Sequence, residues 1–270
     1  MINAINSSIL KKESIKALKA SFNNAKPCRH LIIENFLSED IATALYENFP
    51  SIKKLNVKRK SINEKKSEDY HFERFAPVFT DVRNALNSNE FYSLMQKITG
   101  INGLFSTLDA MGSGLHQGEN GSFVDVHVDF NMHTEKNLER RINLLIYLNK
   151  YWKNEYGGNL ELWDKEMIKC HHSIPPSFNT AVIFETDDNS PHGYSKINIP
   201  ENESRKSFYC YYYTPLRKDF VYRDSKFIPR PNEGILKKSI VNIKETIKVN
   251  LKRALKLIGF KNLDFQDKNK

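Results

Sequence analysis

The sequence predicts a mainly β protein with flanking helices, and three observations carry that prediction. From about Leu104 onward the segments shorten, β-branched and aromatic residues increase, and turn residues punctuate them. No helical pattern separates those segments, which suits a β-sandwich or jelly roll rather than an alternating α/β sheet. The lead-in before them and the tail after them carry apolar residues at helical spacing instead.

Taken in order, Ser8 to Ala20 reads as a short helix with serine available as a cap. His30 to Phe36 reads as a strand. Ser38-Glu-Asp opens a helix with Ile41, Leu45 and Phe49 on one face, stopped near Pro50. The cluster Lys53 to Lys66 is basic but offset by Glu64 and Asp69, so it reads as a solvated loop. Asp81 to Thr99 reads as one helix, with Val82, Leu86, Phe91 and Leu94 apolar. The strands expected after it are Gly121–Val128, Ile142–Leu148, Gly158–Trp163, Ala181–Glu185 and Ser207–Thr214. The organisation that follows is a domain over 1–220, with a helical lead-in over 1–100 and a β core over about 104–215. A basic extension with an amphipathic helix occupies 221–270.

Composition excludes several classes. The 270 residues are 40% hydrophobic, with 17 Phe, 12 Tyr and 2 Trp, so a sizeable core is available and a disordered chain is excluded. Gly at 11 and Pro at 10 exclude collagen-like and low-complexity classes. No long uncharged apolar run predicts a membrane span, and Met1 to Ala20 lacks the apolar stretch of a secretory signal. Three widely spaced cysteines give no disulfide framework and fit a reducing, cytoplasmic setting.

Net charge is +9, but residues 221–270 hold 13 Lys and Arg against 5 Asp and Glu, which accounts for +8 of it. The body is nearly neutral, which argues against a nucleic-acid-binding face. In the tail, positions 236, 240, 243, 247, 251, 254, 255 and 258 are apolar at helical spacing. The plainer expectation is a helix docked on the body. The alternative over 234–258 is a helix lying on an anionic membrane surface, making the protein membrane-peripheral.

Chemistry concentrates at His127-Val-Asp129 and His192. Residues i and i+2 of a strand share a face, so one imidazole and one carboxylate project together. A second histidine from a later strand completes a 2-His-1-carboxylate triad, which leaves positions open on a six-coordinate metal and suits non-haem Fe(II). Taken alone, His-x-Asp is a common triplet, and Pro191-His-Gly193 reads as a turn. Arg205, at the start of an aromatic strand, offers a bidentate partner for a carboxylate, and the Tyr147 hydroxyl can donate to the same group.

From about Gly121 to Thr214 the sequence resembles the 2-oxoglutarate- and Fe(II)-dependent oxygenases of the prolyl 4-hydroxylase superfamily. The matching pieces are Gly121-Ser-Phe with His127-Val-Asp129, Arg141 to Asn149 with Trp152, Gly157 to Trp163, Asn179 to Phe184, Ser190 to Gly193, and Arg205-Lys-Ser207. Their order is that of the hypoxia-factor and ribosomal-protein prolyl hydroxylases and bacterial relatives of the latter. The resemblance implies a double-stranded β-helix, a cupin-like jelly roll, with His127, Asp129 and His192 as iron ligands. It implies that Arg205 binds the distal carboxylate of 2-oxoglutarate, helped by Tyr147 and Ser207, and that Leu160 lines the cosubstrate pocket.

The activity implied is hydroxylation of an unactivated C–H bond with O2, releasing succinate and CO2, with ascorbate as an accessory reductant. Asp129 favours hydroxylation over halogenation, where relatives replace this acid by a small residue. The substrate is peptidyl proline, an amino acid or another small molecule. The 51–80 loop and the segment Asn131–Arg140 are the candidates for selecting it. Competing readings are a non-catalytic jelly-roll binding module, a Mn or Zn isomerase, and a hydroxylase of a sugar or natural product.

Overall fold

The computed structural model of the chain describes residues 2–257. The lead-in begins with a 3-10 turn, Ser7–Leu10, whose Asn6 side chain accepts from the Ser8 amide at 3.0 Å. Helix α1 then runs Lys12–Asn24, later than the expected Ser8–Ala20, because Lys11 is extended and separates the two. Strand β1 (His30–Ile33) and helix α2 (Glu39–Glu47) follow as expected.

The charged stretch read as a solvated loop is a β-hairpin, β2 (Val57–Lys60) with β3 (Glu64–Asp69). Its sides alternate between charged and polar groups rather than between apolar and polar ones, so hydrophobic period two is missing there. The single helix expected over Asp81–Thr99 is two, α3 (Pro77–Leu86) and α4 (Asn89–Thr99). Ser88 breaks it by accepting from the Phe91 amide at 3.1 Å, an N-cap inside an otherwise continuous apolar pattern.

The β core comprises β4 (Ser113–Gly118), β5 (Phe123–Val128), β6 (Leu138–Tyr147), β7 (Leu160–Trp163), β8 (Cys170–Ile174), β9 (Thr180–Glu185), β10 (His192–Tyr194) and β11 (Arg205–Pro215). After it come β12 (Lys226–Phe227) and α5 (Ile235–Leu257). The strands β4, β8 and β10 were not expected. The ordered path is β1-β9-β6-β11-β4-β3-β5-β10-β7-β8, with β2 on β3 and β12 on β5, and all pairings are antiparallel.

Two apolar clusters show how this sheet folds. Ile142, Leu144 and Ile146 of β6 and Phe208, Cys210 and Tyr212 of β11 pack with helical Phe22, Leu45, Phe79 and Phe91. The helices therefore cover one face of the β9-β6-β11 region. Tyr147, Val182 and Phe184 point the other way and pack on Leu160, Leu162 and Ile174 of β7 and β8. Those strands lie at opposite ends of the ordered path, so the sheet curls until its ends face each other. The result is the double-stranded β-helix, with a narrow interior lined by alternate residues of each strand.

Candidate active site

Strand β5 delivers His127, and Asp129 follows just past its end. Strand β10 delivers His192 as the direct register partner of His127, so the residue read from sequence as part of a turn begins a strand. One ligand atom from each of the three residues lies within 4.8 Å of the others. His127 Nε2 stands 3.4 Å from Asp129 Oδ1, and His192 Nε2 stands 3.7 Å from Oδ2. Gly193 follows because β10 and β5 approach closely here: a Cβ would sit 2.7 Å from the Val124 carbonyl oxygen.

The imidazoles are oriented from behind. His127 Nδ1 lies 3.0 Å from the Asp125 carbonyl and His192 Nδ1 lies 2.9 Å from the Ser190 carbonyl. Each Nδ1 donates to a carbonyl, which leaves the Nε2 lone pair for the shared centre. Burial, reinforced by the neighbouring His127, pushes His192 down to about 4 against the pull of Asp129. It is therefore neutral near pH 7, as a ligating imidazole must be. Burial works to raise Asp129, but Arg140 and then the two histidines outweigh it and hold the carboxyl well below its usual range. Two imidazoles and a carboxylate whose ligand atoms lie within 4.8 Å of one another are a donor set that fits a divalent iron.

The second half of the site lies one step along β10. Tyr194 shares the interior face with His192, roughly 7 Å away at about 3.3 Å per strand residue. The Arg205 guanidinium lies over its ring, 4.2 Å from the centroid. Arg205 is 2% exposed; its Nε donates to the Gly158 carbonyl at 2.7 Å and its Nη2 to the Tyr147 hydroxyl at 3.3 Å. Among the described residues no carboxylate lies within ion-pair distance of it. Ser207 is the register partner of Tyr147, and its buried Oγ has no hydrogen-bond partner. Leu160 packs beside Tyr147. Burial raises the Tyr147 phenol against the influence of Arg205, so its proton is retained for donation. The seven residues singled out from sequence thus line one interior.

The structure adds groups that sequence reading did not assign. Arg140 is 1% exposed, and its guanidinium lies 3.5 Å from the Tyr211 ring centroid. Its Nη2 is 3.2 Å from Asp129 Oδ2, at ion-pair distance, yet neither Nη2 nor Nε makes a hydrogen bond. Tyr211 stacks on Tyr209, with centroids 4.8 Å apart. From β3, Lys66 pairs with Glu64 and Glu68, and Glu68 also pairs with Arg59. Burial raises the Tyr211 phenol, with Arg140 opposing and Asp129 and Glu68 adding to the rise.

The segment after residue 220 braces the ligand strand. β12 pairs with β5, which sets the Phe227 ring 5.4 Å from that of His127. Arg223 donates from Nε and Nη2 to the Asp129 carbonyl at 3.2 and 3.1 Å.

Fold and site together define a β-helix protein built around a 2-histidine-1-carboxylate centre. Residues 113–213 match the model of the 2OG-Fe(II) oxygenase superfamily. Over those residues the chain is similar to that superfamily. A prolyl 3-hydroxylase, OGFOD1, from Mus musculus is 28% identical over 204 residues, covering 70% of this chain and 33% of the relative. The chain thus spans about a third of the length of that curated relative. A Pseudomonas putida prolyl-4-hydroxylase superposes with a TM-score of 0.52 at 14% identity, over 74% of this chain and all of the other. A Trichoplax adhaerens prolyl hydroxylase, in complex with a hypoxia inducible factor peptide fragment, gives 0.53 at 19% identity over 80% and 96% of the two chains.

Proposed function

We propose that this chain is a dioxygenase that hydroxylates an unactivated C–H bond of a polar substrate, with 2-oxoglutarate as cosubstrate. His127, Asp129 and His192 hold the iron. Arg205, Tyr147 and Ser207 hold the distal carboxylate of the keto diacid, and Leu160 walls its methylene groups. When bound, iron and 2-oxoglutarate supply the oxidising chemistry that converts O2 and a C–H bond into a hydroxyl group, with succinate and CO2 as coproducts.

One observation carries this reading. Among the described residues Arg205 is a buried cation without an anion of its own, standing about two strand residues from the ligand histidine. A buried charge is costly unless paired, and a five-carbon diacid ligated at its keto-acid end reaches it with the other carboxylate. The same observation disfavours a Mn or Zn isomerase, for which that cation has no task.

The chain's own residues then divide the remaining work. The Asp125 and Ser190 carbonyls fix the imidazole orientation. Tyr147 keeps its proton and donates a hydrogen bond to the bound carboxylate. Arg140, with N–H groups unused, and Tyr211 receive a polar group of the substrate beside Asp129. Hydroxylation at a prolyl residue of a polypeptide is the substrate class favoured by the resemblance to prolyl hydroxylases. The charged ladder Glu64-Lys66-Glu68 favours a second reading, a small hydrophilic substrate such as a sugar or amino acid.

The test is succinate release from 2-oxoglutarate with Fe(II), comparing wild type with Asp129→Ala, followed by mass spectrometry for the gain of one oxygen atom on proline-containing peptides, free amino acids and sugars. Undiminished turnover by Asp129→Ala removes the ligand assignment. Oxygen gain on a sugar but on no peptide selects the second reading.

A further inference from the structure

Helix α5 does not sit as its periodicity led one to expect. At 100° per residue, Leu236, Ile240, Ile243 and Ile247 occupy an arc of about 60°. These four are 80%, 51%, 60% and 60% exposed. The helix instead rests on another face, where Val241 and Glu245 are buried at 2% and 5% exposure. Lys237 fastens its first turn by pairing with Asp125 of β5 at 2.8 Å and with Glu233 at 3.0 Å. Arg230, just before the helix, pairs with Glu161 of β7 at 2.8 Å. The apolar stripe is therefore held outward by contacts made on the other side of the helix.

Charge decides what covers the stripe. The helix sequence Ile235–Leu257 carries seven Lys and Arg and a single acid, Glu245, which is on the buried side. A second copy packed stripe to stripe covers the isoleucines but leaves the cations of both helices without counter-charge. A nucleic acid satisfies the cations but leaves the isoleucines in water. An anionic bilayer satisfies both, because its headgroups meet the lysines and its acyl boundary takes the apolar arc. No described helix is long and apolar enough to cross a membrane. We propose that α5 docks the protein on an anionic lipid surface, lying in the interface with Leu236, Ile240, Ile243 and Ile247 inserted.

The experiment is vesicle co-sedimentation of the full chain, using phosphatidylcholine alone and phosphatidylcholine with about one quarter phosphatidylserine. The expected result is partitioning onto the anionic vesicles that weakens as salt rises, with little on the neutral ones. The double variant Ile240→Ser/Ile243→Ser should lower partitioning at least about tenfold. Its melting temperature should match wild type, because both side chains are exposed. Failure to bind anionic vesicles at low salt overturns the proposal. Full retention in the double variant also overturns it, since charge alone is then at work. A dimer seen by light scattering that the double variant dissolves, without vesicle binding, assigns the stripe to a second copy and overturns it too.

Discussion

Along β11, Phe208, Cys210 and Tyr212 face the helices, whereas Arg205, Ser207, Tyr209 and Tyr211 face the interior. The first set sits in the apolar core under the helices, where the Tyr212 hydroxyl donates to the Leu86 carbonyl at 3.1 Å. The second holds a guanidinium without a carboxylate, an unpartnered hydroxyl and two stacked phenols. One strand thus supplies the fold with one parity and the site with the other. Because pleating separates the two sets by a single residue, stability and chemistry can be perturbed independently.

Four substitutions test that division, from the strongest effect to the weakest. Asp129→Ala should reduce succinate formation by more than the roughly 10- to 100-fold seen when outer partners of a metal ligand are lost. It should also lower bound iron, measured by elemental analysis. Phe208→Ala, on the helix-facing side, should cost about 3–5 kcal/mol in denaturant unfolding. At temperatures where the variant stays folded, its half-saturating 2-oxoglutarate concentration should be that of wild type; a parallel rise erases the distinction between the faces.

Arg205→Met is the converse experiment. It should raise the half-saturating 2-oxoglutarate concentration by about thirtyfold or more, the loss of a buried charge-assisted contact. The ligand-free melting temperature should stay level or rise, since an uncompensated buried cation is removed. A clear fall in that temperature makes Arg205 a structural residue instead.

The smallest effect is expected at Glu68. Burial works to raise its carboxyl, but Lys66 and then Arg59 outweigh it and hold it far below the usual range. A carboxyl depressed in the folded state contributes stability above its unfolded value near 4.5, and that contribution is lost as pH falls below it. Melting curves of wild type and Glu68→Gln should therefore differ at neutral pH and converge in acid. A difference that grows on acidification contradicts the assignment.

Much of the interior was legible because strand period two is strict where pairing is regular. His127 with Asp129, and Tyr147 with Arg205 and Ser207, could be placed from spacing and resemblance. Arg140 was named only as the end of a segment, and the reason is a bulge. Counting back from Tyr147 by twos reaches Asn143 and then Arg141. The register slips between Ile142 and Arg140, however, which brings Arg140 opposite Tyr213 and leaves Arg141 to pair with Glu185. The hairpin β2–β3 escaped because its interior-facing residues are Glu64, Lys66 and Glu68. Strand patterning is read from apolar contrast, and a strand facing a polar cavity has none. His192 looked like a turn because Pro191 and Gly193 flank it, although the glycine serves the close approach of two strands. The helical tail was located from its period, but period alone gives no sign of which arc touches the body.

The solitary guanidinium has a thermodynamic corollary. A ligand that binds only the native chain adds RT ln(1 + [L]/Kd) to its stability, about 2.7 kcal/mol at a hundredfold excess over Kd. On the proposed function, the diacid would do more than occupy a cleft; it would neutralise a charge that the polypeptide buries at its own expense. Resistance of the purified protein to heat and to proteolysis should then rise with added 2-oxoglutarate, and should do so less in Arg205→Met.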